Sequence, residues 1–319
     1  MVLVCGEALM DVFALADTPT GMALEARIGG SPFNVAVGLA RLGRPVAFFG
    51  AISRGFLGER LVRALREEGV ETSAVARVDA PTTLGLVGLD AQGVPSYSFY
   101  GEGGADRQLS ADALQHVPST AAAIHVGSFA MVVEPIASTL RALVEREHDR
   151  TVISYDPNVR LKVDPDLARW RRTLDWMLTR AHVVKISEED LGLLCPGVSA
   201  AQFFDRATAS GVRLVVVTRG ASGAAGGTVA RRLDVAAPTV SLVDTVGAGD
   251  AFQAALLSWL GEHDALRIDA IAASAEDRLD EILRFSCTAA SLTCARRGAD
   301  LPTRDEVAAV IGPPRTRRS

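Results

Sequence analysis

Lysine and asparagine are almost missing from this 319-residue chain. Of its 33 basic residues only Lys162 and Lys185 are lysines, and only Asn34 and Asn158 are asparagines. In such a background the survivors mark positions worth examining. No Gly-Lys pair occurs anywhere, so the phosphate-cradling loop G-x-x-x-x-G-K-[ST] is excluded. No G-x-G-x-x-G follows the first apolar run, which argues against a dinucleotide dehydrogenase. The four cysteines (Cys5, Cys195, Cys287, Cys294) are widely spaced, with no C-x-x-C or Cys/His metal spacing. They read as buried free thiols in a reducing cytoplasm. The five histidines lack H-x-x-x-H and H-E-x-x-H spacing. No apolar run approaches the ~20 residues of a spanning helix, and "MVLVCGEALMD" has no basic leader and reads as a strand. A net charge of −5 gives no attraction to nucleic acid or a membrane surface. What remains is a soluble cytoplasmic α/β enzyme or binding protein.

Apolar runs alternate with helix-periodic segments almost throughout. Strands are expected at Val2–Cys5, Val46–Ile52, Ala123–Gly127, Val152–Tyr155, Val183–Ile186 and Val212–Thr218. Helices are expected at Asn34–Leu42, Leu57–Glu68, Glu134–Glu147, Leu167–Thr179 and Ala200–Ala209, the first capped by Ser31-Pro32. This order implies a mostly parallel sheet covered on both faces. Two β-rich runs, Leu84–Leu89 and Val94–Tyr100, joined by the turn "DAQG", read as a hairpin outside that sheet. With the non-helical segment from Asp11 to Arg27 they form an expected lid over the carboxyl edge, where open α/β sheets bind ligands. A second hairpin is expected over Gly223–Val235, and the last third is largely helical. The chain reads as one domain, 1–319, with lid elements at roughly 11–28 and 84–104.

The stretch "DTVGAGDAFQ" (244–253) concentrates the chemistry. Gly247-Ala248-Gly249 can converge backbone amides on one point, and a helix beginning at once adds its positive end. Such a site suits a phosphate whose charge grows in a transition state. Asp250, opening the helix, is either the cap of a tight turn or a general base beside the phosphate. In "GGSPFNVAVGLARLG" (29–43), Gly29 and Gly30 let a ligand lie against backbone. Asn34 offers the donors and acceptor that vicinal sugar hydroxyls need. Equally, this is a capped helix after a glycine turn. "DPNVR" (156–160) holds the other asparagine, Asn158, and Arg160, either a phosphate clamp or a solvated loop arginine.

Together these segments resemble the paired signatures of the PfkB, or ribokinase-like, carbohydrate kinases, from "GEALMD" to "RRGADLPTRDEV". The resemblance implies a three-layer α/β sandwich of nine or so strands, with a mostly parallel central sheet and a small β-lid. It implies Asp250 as catalytic base, the Gly247, Ala248 and Gly249 amides as anion hole, and Asp11, Gly30 and Asn34 at sugar hydroxyls. "KISEED" resembles the strand end at the nucleotide phosphates, bringing in Lys185 and Ser187. "TRGASG" resembles the loop at ATP, with Thr218, Arg219, Gly220 and Gly223. The family's Asn-x-x-Glu near the magnesium-associated phosphates is here Ser187-x-x-Asp190, and Asp244 matches a position beside a monovalent cation such as K+. The implied cofactors are ATP and Mg2+, with K+ as an addition, and the lid offers a surface for a homodimer.

The lid suggests the acceptor. No Lys or Arg occurs from Ala8 to Ala26 or from Pro81 to Gly104, whereas a sugar phosphate or sugar acid needs a cation. Tyr97, Phe99 and Tyr100 instead offer apolar cover for a neutral ring, with Arg107 the nearest cation. The pattern is most similar to bacterial fructokinases and implies transfer from ATP to the 6-hydroxyl of D-fructose. A 2-keto-3-deoxygluconate kinase or another sugar or nucleoside kinase is the alternative. From a different class, a catalytically silent sugar-binding regulator has the same fold but no need of Asp250.

Overall fold

The first apolar run sets the architecture. Val2 and Val4 belong to one core cluster, Leu3 and Cys5 to another, so alternate side chains of a single strand are buried on opposite faces. A strand covered on both sides belongs at the centre of a largely parallel sheet. The computed structural model describes residues 1–89 and 95–312, without the side chains of residues 89 and 95–97. The expected "DAQG" turn and the Tyr97 side chain therefore lie outside the described residues.

In chain order the first third contains β1 (Val2–Cys5), β2 (Leu9–Thr18), β3 (Gly21–Gly29), α1 (Ser31–Arg41), β4 (Val46–Phe49), β5 (Ala51–Ser53), α2 (Phe56–Glu67), β6 (Ala76–Val78), β7 (Leu84–Leu89) and β8 (Pro95–Tyr100). Then follow β9 (Ala123–Gly127), α3 (Ile136–Glu147), β10 (Val152–Asp156), α4 (Leu167–Leu178), β11 (Val183–Ser187), α5 (Glu188–Leu194), α6 (Ala200–Ala209), β12 (Leu214–Thr218), β13 (Ala224–Gly227) and β14 (Arg232–Val235). Three helices close the chain: α7 (Ala248–Glu262), α8 (Ile271–Cys294) and α9 (Arg304–Ile311). Among the described residues no helix is long and apolar enough to cross a membrane.

Among the described residues the main sheet has eight strands, in the order β14-β13-β12-β11-β10-β9-β1-β4. Six run parallel, and the β13–β14 hairpin adds an antiparallel edge. The single strand expected over Val46–Ile52 is two. Its run breaks at Gly50, after which β5 leaves the main sheet to pair with β6. A separate four-stranded sheet has the order β3-β2-β7-β8, with β2 parallel to β7 and the other pairs antiparallel.

The carboxyl ends of β1, β9, β10, β11 and β12 share one edge of the main sheet. The parallel register sets Asp156 beside Gly127 and Ser187 beside Thr218 along it. Helices α1 and α7 pack against each other. The cap of α1 is Gly30 rather than Ser31, at φ 105°, so Ser31 and Pro32 occupy the first turn. A side chain at position 30 would put its Cβ 2.7 Å from the Glu7 carbonyl oxygen, so glycine is what lets this turn close.

Candidate active site

Asp250 is the third residue of α7, not its first, and it caps nothing. Gly247 takes the cap position in the left-handed conformation, φ 80° and ψ −4°. The Asp250 carboxylate instead crosses to α1. Ser31 Oγ donates to Oδ1 at 2.6 Å, and Asn34 Nδ2 donates to Oδ2 at 2.8 Å. Two segments more than two hundred residues apart are thus joined through one carboxylate. Burial lifts its pKa above the ordinary aspartate range, against the pull of these two hydrogen bonds and of the Lys185 and Arg160 charges. The two hydrogen bonds and the two cations are what favour the carboxylate, the form able to accept a proton.

The glycine turn lies beside a cation. Ala248 N–H reaches the Thr245 carbonyl at 3.3 Å, whereas among the described residues the Gly249 and Asp250 amides meet no backbone carbonyl. These are the orphan donors of a helix start. A Cβ built on Gly249 would lie 3.4 Å from Lys185 Nζ, so the ammonium stands against the turn. Lys185 is itself buried, and Asp156 Oδ2 holds its Nζ at 2.5 Å. The other Asp156 oxygen is buried without a partner. Asp190 lies close enough to feel Asp156. Burial first, and that charge second, raise its pKa to about 6, with Ser187, Lys185 and Arg160 opposing. One Asp190 oxygen accepts the Val159 N–H at 3.2 Å, and Ser187 Oγ caps α5 by accepting the Asp190 N–H at 3.0 Å. Among the described residues no group of three or more His, Cys, Asp or Glu is arranged to hold a metal.

Arg160 is exposed, donates to its neighbour's carbonyl at Val159, and acts on Glu7, Asp11, Asp190 and Asp250 through its charge. Asn158 sits at φ 40°, an unusual conformation for a side-chain-bearing residue, and its Nδ2 is buried without a partner. Beneath the site, Gln253 Nε2 donates to Ser154 Oγ at 2.9 Å, and His125 Nδ1 lies 3.2 Å from the same hydroxyl.

The four-stranded sheet presents one row to this edge: Arg27, Asp11, Gly85 and Phe99 are successive partners across β3, β2, β7 and β8. A Cβ on Gly29 would fall 2.2 Å from Asp11 Oδ2, and one on Gly85 would fall 2.8 Å from Asp11 Oδ1 and 3.3 Å from the Phe99 ring. The carboxylate is therefore bracketed by bare backbone. Burial raises its pKa to about 6, the Asp250 charge adds, and Arg160 opposes. The cation-free stretch noted in the sequence ends one residue short of Arg27, which the register puts opposite Asp11. Its guanidinium is engaged: Glu25 lies 2.6 Å away and the Phe13 ring 5.2 Å away.

The remaining expected positions lie further along the edge. Thr218 ends β12. Arg219 pairs with Asp234, Gly220 follows at φ 51°, and Gly223, at φ 92°, turns into β13. Asp244 faces the loop after α8, accepting Gly298 N–H at 2.8 Å and Val246 N–H at 3.1 Å. No interaction joins Arg219, Gly220, Gly223 or Asp244 to Asp250 among the described residues, whereas Lys185, Arg160, Asn34 and Asp11 all act on it directly. Four contributors escaped the sequence reading: Ser31 as an Asp250 partner, Asp156, Gly85 and Glu7. Only Asp156 left a signal, an acid closing the apolar strand "VISYD".

Similarity to known proteins points the same way. The profile of the pfkB family carbohydrate kinases matches residues 1–306. A fructokinase of Rhizobium leguminosarum bv. trifolii is 36% identical over 283 residues, 88% of this chain and 85% of that protein. One from Vibrio alginolyticus is 31% identical, covering 98% of this chain and 99% of its own. Among solved structures, a Xylella fastidiosa fructokinase with bound ATP superposes with a TM-score of 0.87 at 28% identity, covering 97% of each chain. A Vibrio cholerae O395 fructokinase in a form with fructose, ADP and calcium bound gives 0.82 at 27% identity over 98% of each.

Proposed function

The chain belongs to the pfkB family of carbohydrate kinases, and from that premise we propose that it transfers the γ-phosphoryl group of ATP to the 6-hydroxyl of D-fructose. The observation that carries the reading is the position of Asp250 between two chemistries. On one side lie Asn34 and the Asp11 row, suited to hydroxyls. On the other lie the Gly249 and Asp250 amides, which among the described residues meet no backbone carbonyl, and the Lys185 ammonium, suited to phosphate. In the transfer, the sugar hydroxyl gives its proton to Asp250 while its oxygen bonds to the γ-phosphorus. The bond from that phosphorus to the bridging oxygen breaks, and ADP leaves with the electron pair. The turn amides, Lys185 and Arg160 receive the charge spreading over the phosphoryl oxygens. A sugar-binding regulator has no use for a base held this way.

The neutral acceptor follows from charge. Arg27, which the register sets opposite Asp11, is paired with Glu25, and the relatives' names are those of fructose kinases. Gly29, Gly30, Asn158 and Phe99 complete the sugar side, and Ser187, Thr218, Arg219, Gly220 and Gly223 the nucleotide side. Magnesium fits Asp156 and Asp190: the Asp156 charge helps raise the Asp190 pKa, and one Asp156 oxygen is buried without a hydrogen-bond partner. Bound with ATP, it would be held by phosphate oxygens and Asp190, neutralising the β- and γ-phosphates. A potassium ion beside Asp244 would share a carboxylate that already accepts two amides, and would stiffen the Asp244–Gly298 connection. The exposed Leu15, Met22 and Leu24 of β2 and β3 suit a homodimer through the four-stranded sheet, which sedimentation velocity measures.

An ADP-release assay across fructose, ribose, adenosine and 2-keto-3-deoxygluconate tests the acceptor. Fructose is expected to give the highest kcat/KM, and faster turnover of the sugar acid would replace it as the substrate. Asp250→Asn is expected to lower kcat by at least ~10³-fold with ATP affinity within about threefold. Near-normal turnover of that variant would remove the base from the mechanism.

A further inference from the structure

Ser31 stands where a serine usually caps a helix, yet its hydroxyl does no capping. Gly30 has taken that position, and the single Ser31 hydroxyl hydrogen goes to Asp250 Oδ1 at 2.6 Å. The other oxygen, Oδ2, receives Asn34 Nδ2 at 2.8 Å. The two bonds differ in what an acceptor does to them. Asn34 belongs to the sugar side, and its amide can turn from the carboxylate to a sugar hydroxyl. Ser31, in the first turn of α1 and locked by the following Pro32, has no such second task.

We propose that Ser31 is a positioning residue for phosphoryl transfer: its hydroxyl holds Oδ1 of Asp250, so that Oδ2 alone meets the acceptor hydroxyl and takes its proton. The inference rests on Asp250 being the base of the proposed reaction. Ser31 gains and loses no proton in the step. It fixes the rotation of the carboxylate about its last bond, and its donated hydrogen bond favours the ionised form. That second effect counts here because burial and the charge relation with Asp11 press toward the protonated form. Lys185, Arg160 and the two hydrogen bonds oppose them. Removing one charge-assisted hydrogen bond from such a balance moves it measurably.

The test compares the wild-type chain with Ser31→Ala and Ser31→Thr. The pH dependence of kcat is followed at saturating ATP with whichever tested sugar the wild type turns over. Failure of fructose would then correct the substrate and leave the Ser31 comparison intact. In parallel, ¹³C NMR of carboxyl-labelled aspartate follows Asp250 in the free protein without any turnover, with Asp250→Asn identifying the resonance. In Ser31→Ala both midpoints are expected to rise by about one pH unit, with sugar KM changed less than about threefold. Ser31→Thr, which keeps the hydroxyl, is expected to stay near wild type. Midpoints within about 0.3 pH unit of wild type in the folded alanine variant overturn the proposal. So does a threonine variant shifted as far as the alanine one.

Discussion

Glu7 gives the sharpest test of the electrostatics around this site. It follows β1 at the same turn that Gly30 closes, and only 1% of its surface is exposed. Its side chain bonds to Ser128, but Oε2 is buried with no partner. Burial lifts its pKa from the ordinary 4.5 to about 8, the Asp106 charge adds, and the Ser128 bond and Arg160 oppose. The folded protein therefore holds a proton that the unfolded chain releases near pH 4.5. The stability tied to that proton is complete below pH 4.5 and is lost as pH rises toward 8. Each pH unit in that window costs ~1.4 kcal/mol, so wild type should lose ~4 kcal/mol between pH 5 and 8 through this group alone. Glu7→Gln keeps the size and the Ser128 bond but never ionises. Urea denaturation of both proteins from pH 5 to 8.5 should show the variant gaining ~3–4 kcal/mol on wild type across the range. Curves that stay parallel within ~1 kcal/mol would mean that Glu7 is ionised in the fold, or that Arg160 and water satisfy it, and the burial argument fails.

The Lys185–Asp156 pair should behave as a buried ion pair with a job. Lys185→Met leaves Asp156 buried and uncompensated, at an expected cost of ~3–5 kcal/mol by denaturation. Adding Asp156→Asn should recover much of that stability without recovering turnover, since the ammonium at Gly249 is gone; restored activity in the double variant would remove Lys185 from the phosphate site. Glu25→Gln frees Arg27 opposite Asp11, and should raise the kcat/KM ratio of 2-keto-3-deoxygluconate to fructose by ~3–10-fold. An unchanged ratio would mean that Arg27 faces away from the bound sugar.

Much of the fold was legible in the sequence because its signals are local. Apolar runs bounded by turn residues gave β1, β9 and α6 their full extent, and the alternation of strands and helices implied a parallel sheet covered on two sides. The misread strand over Val46–Ile52 failed for a tertiary reason: Ala51–Ser53 is as strand-like as Val46–Phe49, and only the position of β6 decides that it pairs elsewhere. Ser31 failed likewise. Serine before proline is a sound cap signal, and what redirects it is Asp250, 219 residues away in sequence.

The sequence by itself determined where the reactive types lie: an acid after a Gly-Ala-Gly turn, an asparagine after a Gly-Gly turn, and a lysine in a chain with only two. Those are properties of residue type and short spacing. Only the tertiary structure decided what faces what: that Asn34 and Ser31 hold the two oxygens of Asp250, that Lys185 is anchored by Asp156 against Gly249, and that Arg27 lies opposite Asp11 yet is engaged by Glu25. The physical reason is range. Helix caps and strand alternation are written within a few residues, whereas the protonation of a buried acid depends on every charge and donor that folding brings within a few ångströms of it.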